Sequence, residues 1–261
     1  MNIDLKNRNA LVCGSTQGIG KASAIALADL GANVTLVARN ETKLKEVVAE
    51  LPNKYQSHNY IVADFNNPEE LGKKVADQLK VVGNYHILVN NTGGPAAGPV
   101  FTAEIESFEQ AFTQHLKCNH ILAQTVVPGM KEADFGRIIN IISTSVKQPL
   151  DGLGVSNTIR GAVANWSKTL AGELAEYGIT VNNVLPGATS TERLSEIIRN
   201  KAEKTGKSPE EVSKAMKNSI PAKRFAQPGE IANAVAFLAS EAASYITGIN
   251  VPVDGGRTKS L

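Results

Sequence analysis

The sequence has few cysteines, and it lacks any apolar run long enough to cross a membrane. Its two cysteines, Cys13 and Cys118, form no Cys-x-x-Cys pair, so neither a disulfide framework nor a cysteine metal site is expected. A membrane helix needs about 18 apolar residues, and residues 1–6 lack the apolar run of a signal peptide. We therefore expect a cytoplasmic protein.

The sequence also lacks an excess of charge of either sign, with a formal net charge of +2 over 261 residues. Nucleic-acid and membrane surfaces need clustered basic charge. The densest cationic stretch, residues 201–217, also contains Glu203, Glu210 and Glu211, which is typical of a solvated helix face. We therefore expect no nucleic-acid partner and no membrane partner.

Short apolar runs rich in β-branched residues alternate with longer segments of helical periodicity. The predicted strands are residues 10–13, 33–38, 59–63, 86–90, 137–142, 180–185 and 249–253. This alternation is typical of βαβ units, which build a parallel sheet covered by helices on both faces. Because we find no repeat and no Pro/Gly-rich linker, we predict one α/β domain over residues 1–261, a Rossmann-like doubly wound sheet of seven strands.

A glycine-rich turn follows the first predicted strand. It consists of Gly14, Ser15, Thr16, Gln17, Gly18, Ile19 and Gly20. Glycines permit a tight turn and let the backbone approach a pyrophosphate, and the helix that follows presents free N–H groups to phosphate. The turn predicts a dinucleotide site, whereas the alternative is a simple connection between a strand and a helix.

Four further motifs follow this turn in an order that resembles the short-chain dehydrogenase/reductase superfamily along the whole chain. They are Asn90-Asn91-Thr92-Gly93, the stretch Gly-Arg-Ile-Ile-Asn-Ile-Ile-Ser at 136–143, Pro186-Gly187 and Val253-Asp254-Gly255-Gly256. The chain is identified as a member similar to the 3-oxoacyl-ACP reductases. The resemblance implies an oxidoreductase with a nicotinamide cofactor and a small-molecule substrate.

The resemblance also implies which residues hold the cofactor. Beyond the glycine turn, these are Asp64, Phe65, Asn91, Gly93, Arg160, Pro186, Gly187 and Thr191. Asp64 would bind the adenine, Asn91 and Gly93 would shape the nicotinamide side, and Thr191 would contact the carboxamide. Thr92 departs from the alanine that is usual in the family.

The end of the second predicted strand indicates which dinucleotide is preferred. Ala38 lacks the carboxylate with which NAD sites bind the ribose hydroxyls, and the Arg39 guanidinium can fork onto a 2′-phosphate. We therefore predict that NADP(H) is favoured over NAD(H). The alternative is an exposed arginine at a strand end without a ligand.

No tyrosine occurs between Tyr85 and Tyr177, although the resembled family places a Tyr-x-x-x-Lys pair after the fifth strand. Ser156 and Arg160 stand at these two positions, at the family's spacing from Ser143, which would bind the substrate carbonyl. A serine hydroxyl is a poorer acid than a phenol of pKa near 10. Arg160 could contact the nicotinamide ribose, bind a substrate carboxylate or form a structural ion pair.

A histidine stands where the family has an asparagine on the preceding helix. If the register is right this residue is His115, and Asn119 lies one turn further along. A histidine titrates near pH 6.5 and could replace the missing proton donor. Alternatively, His115 packs at a subunit interface. The nearby His115, Cys118, Asn119 and His120 lack the carboxylate or second cysteine of a metal site, so no metal is predicted.

Two features concern the outer parts of the molecule. Residues 191–224 are polar and helical, with a capping sequence at 208–211, and the resemblance makes them a substrate lid, although a surface helical insert is the alternative. The helical stretches 107–130 and 154–177 are apolar on more than one face. By resemblance, we expect a homotetramer.

Three functions are compatible with these residues. The first is an NADP(H)-dependent oxidoreductase of a carbonyl or alcohol whose proton donor is replaced, with Ser143, Ser156, His115 and Arg160 as the candidate catalytic residues. The second is a non-redox enzyme on the same scaffold that acts on an anionic substrate. The third is a non-catalytic NADP(H)-binding protein.

Overall fold

The computed structural model of the protein describes residues 1–260, which form a seven-stranded parallel sheet between two layers of helices. The strands are β1 (Asn9–Cys13), β2 (Asn33–Ala38), β3 (Asn59–Val62), β4 (Ile87–Asn90), β5 (Gly136–Ile141), β6 (Ile179–Pro186) and β7 (Asn250–Val253). The α-helices are α1 (Gly18–Asp29), α2 (Glu41–Glu50), α3 (Pro68–Val82), α4 (Ile105–Phe112), α5 (Cys118–Glu132), α6 (Gly154–Leu174), α7 (Glu192–Thr205), α8 (Pro209–Asn218) and α9 (Pro228–Ala239). The predicted fold class is confirmed, and each predicted strand is found with ends that differ by at most one residue.

The order of the strands determines where the site lies. The sheet runs β3-β2-β1-β4-β5-β6-β7, so the chain moves outward in one direction from β1 to β3 and then in the other direction from β4. In a doubly wound sheet, ligands bind outside the carboxyl ends of the strands at this reversal. The glycine turn after β1 and the loop after β4 lie there side by side.

Both faces of the sheet are buried. Alternate residues of β1 point to opposite sides, with Ala10 and Val12 packing against α1 and α9, and Leu11 and Cys13 packing against α3, α5 and α6. Strands covered on both faces lack a regular alternation of apolar and polar residues. β4 and β5 are buried along their whole length, and their polar residues, Asn90, Arg137 and Asn140, are buried with the apolar ones. The sequence signal is therefore a run of apolar residues without polar alternation.

A row of asparagine side chains crosses the central sheet. Asn90 donates to Asn140 at 2.9 Å, Asn140 donates to Asn183 at 3.0 Å, and Asn183 donates to Asn250 at 2.8 Å. The four residues are direct partners in the strand register. Buried amides cost free energy unless they are hydrogen-bonded, so the row favours this register of β4 to β7 over a shifted one.

The predicted helical segment at 191–224 is found as α7 and α8. Helix α8 begins with the predicted capping box, in which the Ser208 side chain accepts from the Glu211 amide at 3.2 Å and the Glu211 carboxylate accepts from the Ser208 amide at 2.8 Å. None of the helices in residues 1–260 combines the length and the apolarity needed to span a bilayer.

Candidate active site

A groove runs along the carboxyl ends of the strands, on both sides of the glycine turn. It consists of two adjoining cavities of about 340 Å³ and 600 Å³. Gly14, Gln17 and residues 92–94 line both cavities. One extended ligand can therefore lie across the turn and occupy both cavities.

The glycine turn provides a cradle for phosphate. Gly14 and Gly18 have φ angles of +58° and +55°, which favour glycine. Helix α1 begins at Gly18, and the side chain of its N-cap residue, Gln17, makes no capping hydrogen bond. The first N–H groups of the helix are thus available to an anion, and Gly20 packs against the Gly14 carbonyl where any side chain would collide.

Within the glycine turn, the side chain of Ser15 points away from the groove. It is fully buried, and its hydroxyl accepts a hydrogen bond from the Val37 amide at 3.0 Å. The side chain therefore braces β2 from the inside and does not face the groove. A cofactor contact by Ser15 stays a prediction and would have to come from its backbone.

The 600 Å³ cavity contains the residues predicted for the adenosine half of the cofactor. Arg39, Asp64 and Phe65 line it. The Asp64 carboxylate accepts from the Asn66 amide at 2.9 Å, and an Arg39 nitrogen lies 4.0 Å from its other oxygen. Lys43, on the first turn of α2, also lines this cavity and adds a second cation that sequence analysis missed.

The 340 Å³ cavity contains the residues predicted for the nicotinamide half. Gly93, Pro186, Gly187 and Thr191 line it, together with Arg160. Asn91 also lines it, and its side-chain amide donates to the backbone carbonyls of Cys13 and Gly14 at 3.3 Å and 3.2 Å. That amide thereby joins the loop after β4 to the glycine turn.

Helix α7 covers the 340 Å³ cavity from the outside. Thr191 caps the helix, and Glu192, Arg193 and Leu194 line the cavity. An Arg193 nitrogen donates to the Pro95 carbonyl at 2.8 Å, so the start of α7 is bonded to the loop on the other side of the groove. This contact could not be predicted from the sequence, because it depends on how α7 is oriented over the sheet.

Arg160 and His115 are brought together beneath this cavity. Both are buried, and the Arg160 guanidinium donates to the Ile141 carbonyl at 2.8 Å. His115 lies in a π-helical turn, Thr113–Lys117, that joins α4 to α5. The two residues line a small space of about 10 Å³ with Asn90 and Asn119, room for about one water molecule.

Burial determines the charge of both groups. It lowers the pKa of His115 to about 2, with a further contribution from the nearby Arg160 charge, so the imidazole is neutral near pH 7. Burial also lowers the pKa of Arg160 to about 10, so the guanidinium remains charged. His115 is therefore not an imidazolium acid at neutral pH, contrary to the protonated role considered for it above.

The neutral His115 predicts an acid sensitivity of folding. The folded-state pKa is below the unfolded value of 6.5, so the unfolded chain binds one more proton below pH 6.5. The free energy of unfolding then falls as pH falls, by about 1.4 kcal/mol per pH unit. Between pH 6.5 and pH 5, we expect wild type to lose about 2 kcal/mol more than His115→Gln in urea unfolding.

The other histidines are present in both proteins, so the difference between the two slopes isolates His115. Equal slopes for wild type and His115→Gln would show that the buried ring is protonated in the folded state.

The two candidate serines lie apart from the cavity wall. The Ser143 hydroxyl accepts from the Ser145 amide at 3.1 Å and caps a short 3₁₀ turn. Ser156 is half-buried one helical turn before Arg160 on α6. Neither residue lines the 340 Å³ cavity. Within residues 1–260, no group of three side chains is arranged to hold a metal ion.

Comparison with known proteins places this geometry in a family. The family described as Enoyl-(Acyl carrier protein) reductase matches residues 14–258. The NADPH-dependent reductase BacG of Bacillus subtilis is 32% identical over 98% of this chain and all of the relative. The 3-oxoacyl-[acyl-carrier-protein] reductase FabG of Rickettsia bellii is 36% identical over 97% of this chain and 98% of the relative.

A solved structure agrees with these relatives. The L-sorbose reductase of Gluconobacter frateurii, complexed with NADPH and L-sorbose, superimposes with a TM-score of 0.93 at 31% identity and covers all of both chains. The chain therefore belongs to the short-chain dehydrogenase/reductase superfamily of oxidoreductases.

Proposed function

We propose that the protein is an NADP(H)-dependent reductase of a small carbonyl compound, or the dehydrogenase of the corresponding alcohol. The main observation in favour of NADP(H) is that two cations, Arg39 and Lys43, lie on the wall of the 600 Å³ cavity. Ala38 supplies no carboxylate that would repel a 2′-phosphate there. The names of BacG and of the L-sorbose reductase complex, which both mention NADPH, support the same cofactor.

The groove fits an extended dinucleotide. The uncapped start of α1 would hold the pyrophosphate, Arg39 and Lys43 the 2′-phosphate, and Phe65 and Asp64 the adenine side. Pro186, Gly187 and Thr191 would orient the nicotinamide in the 340 Å³ cavity. When bound, NADPH supplies the hydride.

The residues around the substrate carbonyl would then promote its reduction without a tyrosine hydroxyl as the proton donor. Ser143 directly follows Ile142, which lines the 340 Å³ cavity, and its hydroxyl would have to turn toward the cavity to donate a hydrogen bond to the carbonyl oxygen. Arg160 would keep a fixed positive charge near the nicotinamide end. A water molecule would supply the proton of the carbonyl oxygen, because position 156 carries a serine and no phenol. A positioned general acid contributes roughly 10²- to 10⁴-fold, so we expect slow turnover.

The proposed role of Arg39 predicts that Arg39→Ala loses the preference for NADPH over NADH. A charge-assisted hydrogen bond to phosphate contributes about 1.5 to 3 kcal/mol, so we expect NADPH affinity to fall roughly 10- to 100-fold while NADH affinity stays constant. Titration of purified protein with NADPH and NADH, followed by nicotinamide fluorescence, measures both affinities. Lys45→Ala removes a cation from α2, six residues after Arg39 and outside the cavity, and it is the matched control.

The outcomes separate the candidate functions. Tight NADPH binding followed by oxidation with a carbonyl compound is expected for the reductase. Tight binding without oxidation by any carbonyl compound would favour a binding protein, and failure to bind either nucleotide would favour a non-redox enzyme. Equal loss of NADPH and NADH affinity in Arg39→Ala would contradict the role given to Arg39.

We also propose that α7 and α8 form the substrate lid and that the protein is a homotetramer. The Arg193 contact with Pro95 supports the lid, because it lies directly over the cavity. The tetramer is proposed from the family resemblance, and the exposed aromatic side chains of Phe101, Phe112 and Tyr245 are candidates for contacts between subunits. Native mass spectrometry is expected to give four times the chain mass, and a monomer alone would contradict the tetramer.

A further inference from the structure

Arg160 is a buried cation without an anionic partner. Its side chain belongs to a residue only 8% exposed, on the wall of the 340 Å³ cavity. Within residues 1–260 its hydrogen bond goes to the Ile141 carbonyl, and no carboxylate lies within 4 Å of it in an ion pair. A guanidinium has five N–H donors, so most of them are free to face the cavity.

The other buried arginine shows how this chain satisfies such a group when it is structural. Arg137 donates to the backbone carbonyls of Gly136, Gly178 and Ser240, and it pairs with Glu241 at 3.4 Å. Its guanidinium also stacks on Phe135, 4.0 Å from the ring centroid. Arg160 has none of these supports except one carbonyl, so a structural role does not account for it.

The charges around the cavity leave the Arg160 charge uncompensated. The one acidic side chain on the wall, Glu192, is exposed and pairs with Arg199 at 3.5 Å. Arg193 adds a second cation to the same wall. His115, which packs beside Arg160, is neutral near pH 7 because burial lowers its pKa to about 2.

The cofactor does not supply the missing anion at this position. In the proposed orientation, its 2′-phosphate lies beside Arg39 in the 600 Å³ cavity. Its pyrophosphate is bound by the free N–H groups at the start of α1, where Gly18 and Ile19 line the 340 Å³ cavity. The nicotinamide end carries only neutral ribose hydroxyls, and its ring is neutral or positively charged. An anion that meets Arg160 must therefore arrive with the substrate.

We infer that the substrate is a small oxo-carboxylic acid whose carboxylate pairs with Arg160 in the 340 Å³ cavity. This inference rests on the proposed reductase function and specifies its substrate class. The reaction is reduction of the oxo group: a hydride from NADPH goes to the carbonyl carbon, the carbonyl π pair moves to oxygen, and that oxygen takes a proton from water. The products are a hydroxy acid, NADP⁺ and the hydroxide that the water leaves behind, so atoms and charge balance.

The test compares acids with their esters on the NADPH-loaded protein. The probes are 2-oxohexanoate, 3-oxohexanoate and 4-oxohexanoate, each with its methyl ester, and binding is followed by the change in nicotinamide fluorescence. A charged hydrogen-bonded pair corresponds to roughly 10- to 100-fold in affinity. We expect wild type to bind at least one of the acids at least about 10-fold more tightly than its ester.

The variants assign that preference to Arg160. Arg160→Gln is expected to lower the affinity for the acid without changing the affinity for the ester, so the preference for the acid is lost. Arg160→Lys is expected to keep part of this preference. Arg8→Gln, which changes an arginine at the opposite end of β1, should behave as wild type. The inference would be overturned if wild type bound every acid and its ester equally tightly. It would also be overturned if wild type bound none of the acids and none of the esters.

The same titrations distinguish failure of this inference from failure of the proposed function. If Arg160→Gln lowers the affinity for NADPH, for the acids and for the esters alike, Arg160 binds the cofactor ribose. The proposed pairing with a substrate carboxylate is then wrong, while the reductase proposal stands. If wild type does not bind NADPH, the reductase proposal fails. Calorimetric titration of the acids into the cofactor-free protein then tests Arg160 independently.

Discussion

The Gly20→Ala variant should lose NADPH binding by a factor of at least about 100, because two or more phosphate hydrogen bonds of about 1.5 to 3 kcal/mol each would be misplaced. The added Cβ would collide with the Gly14 carbonyl oxygen and would lie 2.7 Å from the Asn91 amide nitrogen. Neither neighbour can move alone, since the Asn91 amide is bonded to the Gly14 carbonyl. The turn must therefore open, and the phosphate cradle is lost with it.

Gly172→Ala is the matched control. Gly172 is exposed on α6, and no heavy atom lies within 4 Å of the Cβ that alanine would add. This variant should bind NADPH as wild type does and gain roughly 0.5 to 1 kcal/mol of stability. Fluorescence titration measures binding, and circular dichroism checks folding. A folded Gly20→Ala protein with wild-type NADPH affinity would show that the turn does not hold the cofactor.

The fold could be predicted closely because its signals are local. A strand covered on both faces reads as a short apolar run, and β4 and β5 are buried along their whole length. The polar insert was recognisable as helical because Ser208 and Glu211 form a capping box. The asparagine row could not be predicted, since four residues spread over 160 positions become neighbours only through the strand register.

The site was predictable where a motif fixes the backbone and unpredictable where packing decides. The glycines of the turn and Arg39 follow β1 and β2 directly, so their positions at the groove follow from the strand ends. Lys43 lines the cavity only because α2 starts beside it. The neutral state of His115 depends on its burial, which no local pattern in the π-helical turn reveals.

Introducing a tyrosine and a lysine at positions 156 and 160 should raise the rate more than any other change at this site. We expect Ser156→Tyr with Arg160→Lys to increase kcat/KM for methyl 3-oxohexanoate by roughly 10²- to 10⁴-fold, the usual contribution of a positioned general acid. Residues 156 and 160 lie on one face of α6. A tyrosine there would therefore stand beside the lysine, whose charge lowers the phenol pKa.

The ester is the informative substrate for this comparison because it has no carboxylate. Its turnover therefore depends on the proton donor at position 156 and does not depend on an ion pair with residue 160. Ser156→Phe with Arg160→Lys supplies the same ring without the hydroxyl and should give no increase, so the comparison separates proton donation from the filling of space. Ser156→Tyr alone keeps the guanidinium and should recover part of the gain, since a fixed cation still lowers the phenol pKa but cannot pass on a proton. An unchanged rate in the double variant with NADPH still bound would mean that the carbonyl does not lie within reach of position 156, and the substrate would then have to be held elsewhere in the groove.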